Sequence, residues 1–132
     1  MDTRKLFYEE FIKNSCFRLD ESLRMVKISL AKVTEEQLWQ KPNTSLNSIG
    51  NLILHLCGNL TQYGIASLQG LEDKRERDVE FSTVGGLPKA ALLEQLTTTV
   101  TTVKESMESV SIERLVAIAH VQGFELSGLG NC

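Results

Sequence analysis

The stretch NSIGNLILHLCGNLTQY, from Asn47 to Tyr63, decides how the chain is read. Stepped at about 100° per residue, it gathers Ile49, Leu52, Ile53, Leu56, Leu60 and Tyr63 on one broad face, the core side of an amphipathic helix. Leu54 and Ile65 lie well away from that face. The helix is therefore apolar round much of its circumference and is expected to be contacted on more than one side, a second copy of the chain being one explanation. Ser48 or Asn47 caps its start, and Gly70 is the expected terminator after about Gln69.

Working outward, the same period recurs. Apolar residues at Tyr8, Ile12, Cys16, Leu19, Leu23, Val26, Leu30 and Val33 step by four and three, which predicts one long helix. At 1.5 Å per residue it spans roughly 45 Å, a length that a small domain buries only in a bundle. Thr34 with Gln37 forms a capping-box pattern before Leu38 and Trp39, and Pro42 ends that short turn of helix. Downstream, Pro88 suits the first turn of a third long helix with the stripe Leu93, Leu96, Val100, Val103, Met107 and Val110. Its threonines, Thr97 to Thr99, Thr101 and Thr102, lower helix propensity without interrupting the stripe. Ser111 caps a further short turn, and Leu115 to Val121 can be extended, helical or a packed loop. No repeat, low-complexity tract or competing strand alternation stands out. The expectation is one all-α domain over residues 1–132.

Composition narrows the function classes. With 14 basic and 17 acidic residues mixed along the 132-residue chain, the net charge is −3, and no field gathers nucleic acid or an anionic membrane. The start MDTRKLFYEEF carries charges within its apolar pattern, unlike a signal peptide, and no run approaches membrane-spanning length. Cys16, Cys57 and Cys132 are odd in number and widely spaced, which argues against a disulfide framework or thiolate zinc site and for a reducing cytoplasm. Cys16, on the first apolar stripe, reads as a core residue, and Cys57 is ambiguous.

His55 is the exception on the apolar helix. It lies in a polar stripe with Ser48, Asn51, Asn59 and Gln62, spaced three, four, four and three residues apart. In the plainer interpretation the stripe is a water-facing strip at the bundle edge. In the sharper one it lines a cleft, with His55 as a ligand or base and Asn51, Asn59 and Gln62 as supporting donors. One histidine is not a metal site, because zinc and similar ions take three or four protein ligands. The segment EDKRERDVE, Glu72 to Glu80, reads as a solvated connection, although Asp78 and Glu80 are the carboxylates to consider as further ligands.

The run Asn47 to Tyr63, with RDVEF from Arg77 to Phe81, resembles the DinB-like family, YfiT-type members included, and the helical pattern agrees from about residue 5 to residue 126. The resemblance implies an up-and-down four-helix bundle, often homodimeric. It also implies a divalent metal, such as zinc or nickel, held by one histidine of the second helix and two of an HxxxH motif on the last. Some relatives use the site in thiol-dependent transfer or isomerisation. His55 matches the first ligand. After VQGFELSGLG, the expected approach to the last helix, the sequence ends at Cys132 without HxxxH, and His120 occupies neither missing position.

The expectation is therefore three main helices with a truncated fourth, an incomplete metal site at His55, and little or no catalysis by this chain alone. An apolar stripe left by the fourth helix would be covered by a second chain. The competing reading is a dimeric structural or binding bundle without metal, in which His55 is hydrogen-bonded or solvated.

Overall fold

A computed structural model describes residues 2–116, 118–121 and 124–127, and its architecture is an all-α bundle. Helix α1, Thr3–Leu30, starts five residues before Tyr8, the first residue of the predicted stripe, because the Asp2 side chain accepts from the Arg4 N–H at 3.0 Å. It stops at Leu30 rather than Val33, where i−3 bonds from Lys32 and Val33 tighten the last turn. Helix α2, Glu35–Leu38, follows with both halves of its Thr34/Gln37 capping box formed.

Helix α3, Ile49–Leu60, runs directly into a π-helical segment, Thr61–Ala66, and then α4, Ser67–Gln69. Gly70, at φ 68°, ends this run, and Leu71 N–H closes back on Ala66 O at 2.8 Å. Helix α5 is Arg77–Ser82, α6 is Lys89–Ser109 with Pro88 one residue ahead of it, and α7 is Ile112–Val116, where Ser111 Oγ accepts from Arg114 N–H. The α6 threonines keep their helix by donating to carbonyls four residues back, as Thr97 does to Leu93 and Thr101 to Thr97.

Helix α6 is the centre of the bundle, packed against α1 and α3. Along α6, Lys104 pairs with Asp20 while Lys89 Nζ reaches Leu30 O and Val33 O, so α1 is antiparallel to it. Gly64 packs on Val103 and Gln69 bonds Ser106, so the α3–α4 run is parallel to α6. Residues 70–88 return the chain along the bundle, and at this one step the path departs from a plain up-and-down order. One end of the core holds Leu23, Leu30, Leu38, Ile53, Leu92, Leu96 and Val100, and the other Ile12, Cys16, Leu68, Val103, Met107 and Leu115.

Two sequence expectations are corrected. The broad face of α3 is only partly core: Ile53 is buried, but Leu52 and Leu56 are 48% and 40% exposed because they point away from α6. The expectation that no strand competes with the helices is corrected on the approach to the fourth helix, where β1 (Ile118–Val121) pairs antiparallel with β2 (Phe124–Ser127). The alternation of apolar and polar residues in Phe124, Glu125, Leu126 and Ser127 has the two-residue period of a strand. Residues 128–132, with Cys132 and the remainder of the expected fourth helix, lie outside the described residues. Among the described residues no helix is long and apolar enough to cross a membrane.

Candidate functional site

The site is built where α5 and the segment before it dock on α3. Ser48 and Asn51 form a capping box at the start of α3, and this leaves the Asn51 Nδ2 hydrogens free to point outward. They donate to Glu80 O at 3.0 Å and Thr83 O at 2.6 Å, carbonyls of the last turn of α5 that lack helical partners. Asn51 is completely buried. The amide thus fixes α5 against α3 and sets the position of the Glu80 carboxylate one turn along, above His55 and Gly58.

Glu80 reaches α3 only because residue 58 is glycine: a Cβ there would stand 1.7 Å from Glu80 Oε2. Arg75 grips the carboxylate side-on, Nε to Oε2 at 3.1 Å and Nη2 to Oε1 at 3.0 Å. The same Nη2 lies 2.9 Å from His55 Nδ1, and Nη1 donates to Gln62 Oε1 at 2.9 Å. Gln62 Nε2 in turn donates to Asp73 Oδ2 at 2.5 Å. A guanidinium can only donate, so His55 Nδ1 accepts from Arg75 when that nitrogen is unprotonated, and the same nitrogen lies 3.4 Å from Glu80 Oε1, which accepts from it when it is protonated. Phe81 lies against the imidazole with ring centroids 4.9 Å apart, and Arg77 lies over the other ring at 5.4 Å.

The polar stripe accordingly divides. Ser48, Asn51 and Gln62 are buried, which sets aside the water-facing strip for these three, and His55 is partly buried. Asn51 supports Glu80 through its backbone, Gln62 meets Arg75, and Asn59 faces a different groove, shared with Ser15, Arg18 and Tyr63. The solvated reading of Glu72 to Glu80 is corrected at two positions: the Arg75 side chain is only 4% exposed and Glu80 is buried, because each satisfies the other. Asp78 remains exposed. Arg75 is the site residue that sequence reasoning missed. The available signal was Gly58, a residue that weakens a helix interior unless something must approach closely.

Cys57 is buried near this network, and burial pushes its thiol up from the ordinary value, Glu80 adding to the effect and a Thr99 hydrogen bond opposing it. It is a packed thiol rather than an activated one.

Residues 7–125 match a family described as a protein of unknown function, DUF1572. The chain belongs to that family. No curated protein matches it. The DUF1572 match spans the whole of the site, from Asn51 through Glu80 and Phe81.

The donors round His55 do not by themselves fit a divalent ion. His55 Nδ1 faces Arg75 at 2.9 Å and Glu80 Oε1 at 3.4 Å, both Glu80 oxygens are held by the same guanidinium, and that guanidinium sets a fixed positive charge against the ring. Among the described residues no group of three or more His, Cys, Asp and Glu side chains converges as a metal needs. His120 lies on β1, in register with Glu125.

Proposed function

We propose that this chain is a DinB-like bundle, related to metal-dependent thiol transferases, in which the second-helix histidine is kept but serves a hydrogen-bonded, metal-independent binding site. The observation that carries this reading is the Arg75 contact on His55 Nδ1, backed by the Arg75–Glu80 pair. With Nδ1 accepting, His55 presents an N–H from Nε2, a donor for a ligand oxygen rather than a lone pair for a metal. The site thereby acts by recognition and orientation. Two buried, unpaired thiols, Cys16 and Cys57, support a reducing cytoplasm as its compartment.

The test is metal analysis of protein purified from medium supplied with zinc and nickel, alongside nitrogen-15 spectra of the histidine rings. Substoichiometric metal, unchanged in His55→Ala, with an Nε2–H tautomer for His55, is the expected result. Stoichiometric zinc or nickel that disappears in His55→Ala would establish the metal-binding reading instead.

The self-association implied by the sequence is part of the proposal. Leu52 and Leu56, with Ile49 one turn earlier, form an exposed apolar stripe on α3, and a second copy of the chain is the occupant that fits it. Sedimentation should give a dimer for the parent chain and a monomer for Leu52→Lys/Leu56→Lys; an unchanged mass in the variant would remove α3 from the interface.

A further inference from the structure

The Arg75–Glu80 pair has a second side. His55 does not line it, but both members of the pair do: a crevice of about 540 Å³ between the α3–π run, residues 71–87 and α6. We infer that this crevice is a binding site for a small, uncharged, mainly apolar molecule that carries one carbonyl-type oxygen.

Its volume lies in the range of small-molecule sites. Leu54, Ile65, Val79 and Leu87 make its walls apolar, which selects the body of the ligand. The polar end is decided by the hydrogens of Arg75. Nε donates to Glu80, Nη2 faces Glu80 and His55, and one Nη1 hydrogen goes to Gln62, which accounts for four of the five N–H groups of a guanidinium. The second Nη1 hydrogen has no partner among the described residues, on a side chain only 4% exposed. A buried donor in that state calls for an acceptor.

Charge selects a neutral acceptor. Glu72, Asp73, Lys74, Arg75 and Glu80 line the same crevice, three acids against two bases, so a carboxylate or phosphate meets net repulsion while a ketone or amide oxygen does not. The π segment supplies an independent indication. Single π turns within α-helices concentrate at functional sites, and this one contributes Thr61, Gln62, Ile65 and Ala66 to the lining.

The probe is 6-propionyl-2-(dimethylamino)naphthalene, a neutral aromatic ketone whose emission shifts to the blue when it leaves water. The intact chain should bind it saturably with one dye per chain. Binding should weaken about tenfold or more for 2-(dimethylamino)naphthalene, which lacks the ketone acceptor. Thr99→Phe, which fills the crevice from α6, and Val79→Trp, which fills it from the exposed rim, should each abolish the shift while circular dichroism stays helical. The proposal is overturned by absence of saturable binding, by equal affinity for the ketone-free dye, or by binding that survives both filling variants. Loss of binding in Leu52→Lys/Leu56→Lys alone would also overturn it, since the dye would then sit on the exposed face of α3. None of these outcomes depends on metal content or on the tautomer of His55.

Discussion

Gly58 and Glu80 occupy the same space to within one methyl group: a Cβ on residue 58 would lie 1.7 Å from Glu80 Oε2 and 3.0 Å from Arg75 Nε. In an unobstructed helix, glycine to alanine is stabilising by roughly 1 kcal/mol. Here the sign reverses, because the obstructing atoms belong to a buried ion pair and not to the free end of a flexible side chain. Gly58→Ala should lower stability by about 2–3 kcal/mol, read as a reduced urea midpoint. A gain in midpoint would mean that Glu80 is not held against α3.

Removing one member of the Arg75–Glu80 pair leaves the other charged and buried. Arg75→Met and Glu80→Gln should each destabilise the fold by about 3–5 kcal/mol, whereas the double variant should lose less than their sum. A double-mutant cycle in urea measures the difference. Additive losses would show that the two side chains do not depend on each other.

Asn51 links two helices through one amide. Asn51→Ala removes a capping-box partner and leaves Glu80 O and Thr83 O unpaired, a loss of about 2 kcal/mol. The local signature should be larger than the global one: amide exchange over Arg77–Ser82 should accelerate well beyond that of α6. Uniform acceleration would argue that α5 is held by other contacts.

The buried thiols give the fold an alkaline limit. Burial, the leading cause in both, raises Cys57 and Cys16 above the ordinary thiol value, with Glu108 adding to the effect at Cys16. The folded state therefore favours the neutral thiols, and their contribution is complete below the unfolded value of about 8.5 and is lost as pH rises through the folded values. The urea midpoint should fall as pH rises above about 8.5, and fall less steeply in Cys16→Ala/Cys57→Ala. Parallel slopes for the two proteins would assign the alkaline loss to other groups.

The helices were legible because periodicity and caps are local: Thr34 with Gln37, Ser48 before α3, and Gly70 after α4 each sit where their spacing places them. The site was legible only from one side. His55 is conspicuous as the polar residue on an apolar helix, but its neighbours Arg75 and Glu80 lie in a run whose composition reads as solvent-exposed. Burial of such a pair depends on long-range docking through Asn51 and on the space left by Gly58, and neither relation has a period along the chain. The hairpin Ile118–Val121 with Phe124–Ser127 was missed for a similar reason, since four-residue strands offer too few alternations to outweigh the surrounding helical pattern.

The π segment makes the second long helix one residue longer than its path requires. Were Thr61–Ala66 wound as plain α-helix with the same residues, everything beyond would advance by about 1.5 Å and turn by about 100°. Leu68, fully buried between α1 and α6, and Gln69, bonded to Ser106, would then face elsewhere. The surplus residue thus works as a phase adjuster: it lets a helix whose first half is aligned by Glu80 and Arg75 present its second half in register with α6.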